Sequence, residues 1–415
     1  MKKLAVIGSG ISGLACAYFL KDKFEVTLFE KNNYFGGHSN TVEIESKNKI
    51  IPVDTGFIVF NHQTYPNLVP FFEHLNIDTA PSNMGFGISV NSGEIEYSSN
   101  GLNGFFAQKE SILRPRMWRL IYEIQKFNKH AKNISETNLL NYTIDQFLSS
   151  LKLSDAFREL YLYPMAGAIW STPVKDIGQF PAYTLVRFFK NHALLSLTNH
   201  HPWYTVVGGS REYVKRVVDS PTIDAHLNSE IRAVERVDGC VHVHVEKQKY
   251  IFDHVVIASS APIALSMLQT PSAQEQDVLG CFRYSKNLAY LHKDASLMPK
   301  NKKAWSSWSY FSTKENKIGV TYWMNKLQPL ATDENIFVTL NPSHPPKKHQ
   351  TLKVQQYDHP LFDAQAILAQ DKITDIQGKG NVWFCGAYQR YGFHEDGIWS
   401  ALRVINRLGV KAPWQ

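Results

Sequence analysis

Hydrophobic residues change their spacing several times along the chain, and each change predicts an element. Lys3-Leu4-Ala5-Val6-Ile7 opens on a continuous apolar run of strand length. The apolar stretch from Leu14 to Leu20 predicts a helix and Glu25 to Phe29 a second strand. Alternation then predicts short strands at Thr41-Val42-Glu43-Ile44 and Ile50-Ile51-Pro52-Val53, with further short strands through Val90. From about Ser111 to His200 the period becomes helical. There Met117, Leu120, Ile124, Phe127 and Ala131 share one face, with Arg119, Lys126, Lys129 and Lys132 largely elsewhere. Val206-Val207-Gly208-Gly209-Ser210 enters another helix, followed by strands around Ile231 to Val234, Val241 to Val245 and Asp253 to Ala258. Between about Leu279 and Gln377, aromatic residues such as Trp305, Trp308, Tyr310, Tyr322 and Trp323 favour a second sheet. A strand at Val382-Trp383-Phe384-Cys385 and a helix from Ile398 to Leu408 close the pattern.

At 415 residues the chain is too long for one ordinary core, which implies two interleaved domains. The helical stretch reads as part of a domain inserted into the first. No apolar run approaches the roughly 18 residues of a membrane-spanning helix, and Gly8 and Gly10 break the apolar stretch after Lys2 and Lys3 that faintly suggests a signal peptide. A cytoplasmic location is expected. Cys16, Cys240, Cys281 and Cys385 are far apart and lack metal-ligand spacing, so buried reduced thiols are expected, with no metal. His242 and His244 share one strand face and read as a solvated polar edge opposite buried valines. The net charge of +7 comes without the basic-aromatic motifs of nucleic-acid modules. It suggests instead peripheral contact with the inner membrane surface, where Arg114, Arg116, Arg119 and Trp118 could meet headgroups.

The chemistry begins at Gly8-Ser9-Gly10-Ile11-Ser12-Gly13, between the first strand and the first helix. Gly8 permits a tight turn, Gly10 lets backbone approach a pyrophosphate, and Gly13 allows close helix packing at a helix N-terminus that favours anions. Glu30, at the end of the second strand, is placed to accept from both ribose hydroxyls. A second glycine pair follows in Gly36-Gly37-His38-Ser39-Asn40-Thr41, and Gly392-Phe393-His394-Glu395-Asp396-Gly397 precedes the last helix. An extended dinucleotide explains this layout, which a simple nicotinamide dehydrogenase does not need. The chain lacks GxSxG, Walker and metal-cluster motifs, which favours redox chemistry carried by the cofactor.

These features together resemble the flavin-containing amine oxidase and desaturase superfamily over essentially the whole chain. A bacterial subgroup of NAD/FAD-binding proteins, commonly encoded beside cyclopropane-fatty-acid synthase-like methyltransferases, is similar in Val53-Asp54-Thr55-Gly56-Phe57-Ile58-Val59-Phe60-Asn61, Leu291-His292-Lys293-Asp294, Tyr322-Trp323-Met324-Asn325 and both later glycine motifs. The resemblance implies an α/β fold. In it a glutathione-reductase-like Rossmann FAD-binding domain (1–75, 205–275 and 376–415) is interleaved with an α+β substrate domain (76–204 and 276–375, helical over about 111–200), the amine-oxidase-like two-domain architecture. It assigns Gly8, Gly10, Ile11, Ser12 and Gly13 to the pyrophosphate, Glu30 and Lys31 to the adenosine ribose, and Gly36, Gly37, His38 and Ser39 to the phosphate-to-ribityl region. Gly56 and Phe57 would approach the flavin, Ile231 would touch adenine, and Gly386, Asp396, Gly397 and Ile398 would close over the ribityl and ring.

Lys286 and His394 are the candidate catalytic residues. Tyr388, Tyr391, Phe393 and Trp323 are the candidate aromatic lining. Two departures stand out: His38 replaces the superfamily's usual arginine and gives a weaker, pH-sensitive positive charge, and His394 occupies a position often aromatic in amine oxidases. The expected activity is FAD-dependent oxidation of an apolar substrate, a lipid acyl chain. The alternatives are an amine oxidase and a non-catalytic flavoprotein partner of a lipid methyltransferase.

Overall fold

The computed structural model describes residues 1–139, 141–170, 177–191, 194–195, 201–313 and 318–415. Its centre is a five-stranded parallel sheet in the order Val382–Phe384, His254–Ile257, Lys2–Ile7, Phe24–Phe29, Ile223–His226. The middle strand is covered on both faces, which is why Leu4 to Ile7 form an uninterrupted apolar run instead of alternating. Helix Ile11–Leu20 is buried on all sides except at Tyr18, trapped between this sheet and the final helix, His394–Arg407. It starts three residues before the predicted Leu14, because Ile11, Ser12 and Gly13 already form its first turn.

A three-stranded antiparallel meander, Ile231–Val237, Cys240–Val245 and Gln248–Phe252, covers one side. Val241, Val243 and Val245 are buried there, whereas His242 and His244 face Glu235 at 3.8 and 3.4 Å. The predicted second sheet has seven strands, in the order Thr351–Leu361, Arg283–His292, Phe337–Leu340, Ile318–Trp323, Trp308–Ser312, Phe86–Val90, Ile95–Ser98. Beside it, helix Pro115–Asn133 buries Met117, Leu120, Ile124, Phe127 and Ala131, the predicted face. Residues 196–200, at the end of the predicted helical stretch, lie outside the described residues. The predicted run of strands up to Val90 is interrupted by helix Leu68–His74, whose Leu68, Val69, Phe71 and Phe72 pack into the nucleotide-side core. Among the described residues no helix is long and apolar enough to cross a membrane. Cys16 and Cys385 are free and buried, with their sulfurs 3.9 Å apart.

One buried carboxylate ties the Thr41–Asp54 hairpin to two remote segments. Asp54, at the end of strand Lys49–Asp54, accepts from Thr41 Oγ1 at 2.6 Å, Ser210 N at 2.9 Å, Ser210 Oγ at 2.8 Å and Gln328 Nε2 at 2.8 Å. Its own N–H donates to Gln328 Oε1 at 2.9 Å. Gly209 passes so close that a Cβ there would lie 2.5 Å from Thr41 Cγ2. Three stretches, the hairpin, Gly209-Ser210 and Gln328, therefore meet at one side chain, immediately before Gly56 and Phe57. Replacing Asp54 by Ala strands several buried donors, each costing roughly 1–3 kcal/mol. We expect Asp54→Ala to lower stability by about 3 kcal/mol, with Asp54→Asn costing less because it keeps one acceptor. The urea midpoint of each variant, at unchanged slope, measures the loss.

Candidate cofactor and active site

Three backbone segments converge at the start of helix Ile11–Leu20. Gly8, at φ +101°, turns the chain out of the first strand and its N–H reaches Phe29 O at 2.8 Å. A Cβ on Gly8 would lie 2.8 Å from Ala258 O, and one on Gly13 only 1.9 Å from Gly8 O, so both glycines are demanded by the fold itself. Gly10 is different. Its φ of −65° and ψ of 175° suit any residue, and a Cβ there would meet nothing within 4 Å. Gly37, at φ +58°, crosses directly over it, with its own virtual Cβ 3.2 Å from Gly10 Cα. Open room beside Gly10, at a helix N-terminus whose first N–H groups have no intrahelical acceptor, fits the pyrophosphate of a dinucleotide.

Glu30 is buried at the end of the second strand. Its carboxylate accepts from Ser9 N at 3.0 Å, Ser9 Oγ at 2.7 Å, Asn32 N at 2.9 Å and Asn32 Nδ2 at 2.8 Å, and the Gly36 N–H in turn donates to Ser9 Oγ at 3.1 Å. A ribose held here would take over the Asn32 side-chain bond. The neighbouring Lys31 is exposed. Ser229 N donates to Glu30 O at 2.8 Å, which brings Ile231, two residues on, to the same edge. From the C-terminal end, Ser12 Oγ donates to Gly397 O at 3.0 Å, and a Cβ on Gly397 would lie 2.6 Å from Ile11 Cγ2. Ile398 is fully buried behind this crossing. Gly386 N donates to Ser400 Oγ at 2.8 Å, joining the last strand to the same helix. Asp396 turns back to accept from Phe393 N at 2.9 Å and lies 3.9 Å from Arg390. Burial nevertheless raises its pKa to about 7.

Farther along, His394 begins the final helix with its ring stacked on Phe57, at 3.8 Å between centroids and 16° between planes. Its Nε2 lies 2.9 Å from Ser39 Oγ and 3.3 Å from Tyr213 OH, and Ser39 and Tyr213 are hydrogen-bonded to each other. Phe57 is placed by its N–H, which donates to His38 O at 2.8 Å, and a Cβ on Gly56 would lie 2.2 Å from that same oxygen. His38 keeps contact with solvent and stacks beside Tyr357 at 5.0 Å and His359 at 5.5 Å between ring centroids. Desolvation lowers the pKa of His38, although Asp358 opposes the shift. Burial, with His38 nearby, pushes His394 well below the usual imidazole range and His359 down to about 3.

Hydrogen bonding supports the neutral form of His359 independently. Asn341 Nδ2 donates to Asn287 Oδ1 at 2.7 Å, which leaves the Asn287 amide nitrogen to face His359 Nδ1 at 3.2 Å, a nitrogen that must be unprotonated to accept. The positive charge expected of His38 is weakened further by this desolvation, on a side chain that keeps contact with solvent. A neutral His394 beside two hydroxyls can accept a proton or hold a polar edge of a bound molecule.

Lys286 is not brought into this cluster. It pairs in register with Asp358 on strand Arg283–His292, and its exposed side chain lies on the opposite face from Asn287, Tyr357 and His359. Of the candidate aromatics, Tyr388 is fully buried in a core against Phe282, and Trp323 stands against Trp305, 5.2 Å away. Phe393 stacks on Phe188 at 5.1 Å and Tyr391 packs near Arg187 and Arg390, so these two lie where the helical region meets the site. Tyr213, Tyr357 and His359 are the residues that the sequence reading missed. The i, i+2 spacing of Tyr357 and His359 on a strand was the available signal for the latter two.

A family model for flavin containing amine oxidoreductases matches residues 11–288. The 1-hydroxycarotenoid 3,4-desaturase of Flavobacterium sp. (strain P99-3) is 37% identical over 89 residues, 19% of this chain and 17% of that protein. Among solved structures, a CLA-producing fatty acid isomerase from P. acnes is similar with a TM-score of 0.70 at 14% identity, over 98% of both chains. Cyclohexylamine oxidase from Brevibacterium oxydans IH-35A gives 0.69 at 15% identity, over 98% of this chain and 99% of its own. Putrescine oxidase bound to putrescine gives 0.69 at 14%, over 98% of both chains.

Two outcomes test this geometry. Because the fold tolerates a side chain at Gly10 and a pyrophosphate does not, Gly10→Val is expected to melt within a few degrees of the wild-type apoprotein while losing more than about tenfold in FAD affinity. Flavin titration of the apoprotein checks it. His359 binds its proton more weakly folded than unfolded, so its contribution to stability is present above pH 6.5 and is lost as pH falls from 6.5 towards 3, by up to about 1.4 kcal/mol per pH unit. Asp54, raised to about 6, and Asp396, raised to about 7, act with the opposite sign. The readout is therefore the difference in acid sensitivity between wild type and His359→Asn, which is expected to lose less stability below pH 6.5.

Proposed function

The chain belongs to the flavin-containing amine oxidoreductase family and is an FAD-dependent oxidoreductase, and from that premise we propose that its substrate is apolar, the acyl chain of a lipid, and not an amine. The flavin, when bound, supplies a hydride acceptor at N5. Gly10, Ile11, Ser12 and Gly13 would hold its pyrophosphate, Glu30 its ribose, and Gly37, His38, Ser39, Gly56 and Phe57 its inner half. The observation carrying the reading is the continuity between the helical region's apolar core and the residue next to His394. Phe180, Tyr183, Met165 and Phe393 all border that core while remaining partly exposed.

An apolar chain arriving along this border gains from every apolar contact. It meets His394, Phe57 and His359 as neutral rings and so has no charge there to desolvate. A cationic amine would need a carboxylate counter-charge, and Asp396 is turned to the start of its own helix and to Arg390. The roles that desaturase and fatty acid isomerase carry in their names agree with a substrate of this class. His394, held by Ser39 and Tyr213, is the residue positioned to accept a proton.

Anaerobic spectra of the holoprotein provide the test. Phospholipid or free fatty acid is expected to bleach the flavin bands while amines leave them unchanged. Bleaching by amines alone, with peroxide released on admitting air, would replace the reading with amine oxidation. Bleaching by neither, together with a stable complex with a lipid methyltransferase, would favour the role of non-catalytic partner.

A further inference from the structure

The chain's excess positive charge is concentrated in one segment of the sequence. Residues 101–133 carry seven Lys and Arg against two Glu, five of the net +7. The same segment exposes an unusual set of large apolar side chains: Leu102 at 70%, Ile112 at 46%, Leu113 at 86%, Trp118 at 52% and Tyr122 at 63% relative accessibility. These are one strip. Trp118 Nε1 donates to Ile112 O at 2.8 Å, its ring lies 5.0 Å from Phe106, and Phe106 N bonds back to Leu102 O at 2.9 Å. Tyr122 sits one turn beyond Trp118, and exposed Gln125 and Lys129 continue the same helical stripe. The opposite face of this helix is already used by Met117, Leu120, Ile124 and Phe127 in the core. The outward strip is therefore a second, separate apolar surface, led by Leu113 at the tip of the turn and flanked by Arg114 and Arg116.

We propose that this strip docks the protein on an anionic phospholipid surface, with Leu113, Ile112 and Trp118 entering the headgroup boundary while Arg114, Arg116 and Lys109 engage phosphates. Apolar fingertips ringed by cations match that interface, which offers negative charge above and hydrocarbon below. A second copy of this chain fits poorly, because a two-fold contact through the strip would oppose two sets of like charges. Arg116 lies 4.0 Å from Glu159 and Arg119 3.0 Å from Glu123, so Arg114 and Lys109 are expected to contribute most. The inference does not rest on the acyl-substrate reading, since docking is measured without turnover.

Flotation of the holoprotein with vesicles of phosphatidylglycerol and phosphatidylcholine tests it against vesicles of phosphatidylcholine alone. Binding is expected only to the anionic vesicles and is expected to weaken as salt rises from 0.1 to 0.5 M, on the order of the screening change involved. Arg114→Ala is expected to weaken it about fivefold, the effect of about 1 kcal/mol for one basic residue near an anionic surface. Leu113→Asp is expected to abolish it, while both variants keep the wild-type flavin content and melting temperature. Failure of the wild type to float with anionic vesicles, or undiminished binding by Leu113→Asp, overturns the proposal. So does self-association that Leu113→Asp abolishes, without vesicle binding.

Discussion

The absence of a methyl group at Gly13 sets the geometry of the nucleotide end. A side chain there would be driven to 1.9 Å from the carbonyl of Gly8, so only glycine lets helix Ile11–Leu20 settle onto the turn that precedes it. The same constraint recurs where Gly397 crosses Ile11 and where Gly56 crosses the carbonyl of His38. At Gly13 and Gly56 the obstacle is a backbone carbonyl, which cannot relax as a flexible side chain can, and at Gly397 it is the Ile11 side chain on the first turn of the helix.

Polarity at the site is set by burial more than by residue type. Desolvation lowers the pKa of His38, His359 and His394 alike, and charge on His38 adds to the shift of the other two. Asp54 and Asp396 are shifted in the matching direction, towards protonation. A cofactor bound here would meet rings, hydroxyls and backbone dipoles at its inner half and the Glu30 carboxylate at its ribose. Charge is displaced outwards, to Arg187 and Arg390 at the boundary with the helical region and to the basic strip around Arg114.

Much of the nucleotide half was legible because its signals are local. A continuous apolar run, three glycines at fixed offsets, an apolar helix and a terminal Glu30 sit within thirty residues, and each has a single physical reading. The amphipathic helix around Met117 was equally plain, since its period needs no knowledge of its partner. Helix Leu68–His74 was missed although Leu68, Val69, Phe71, Phe72 and Leu75 recur at helical spacing, because the segment is short and flanked by strands. Nothing near Tyr213 in sequence marks it, and the i, i+2 spacing of Tyr357 and His359 says only that they share a strand face, not what that face meets. They become site residues only when strand Thr351–Leu361 pairs with Arg283–His292 and when Asp54 pins Ser210, three residues before Tyr213.

By itself, then, the sequence determined the βαβ nucleotide unit, the family's paired glycine motifs and the inward face of the long helix, because backbone conformation and hydrophobic period are short-range properties. Tertiary structure alone decided which faces meet: that Lys286 points away from the imidazole cluster, that His38, His359 and His394 are drawn into one desolvated group, and that Leu113 and Trp118 remain outside any core. Orientation across a strand and the solvation of an ionisable group depend on atoms brought in from hundreds of residues away, and no local pattern encodes them.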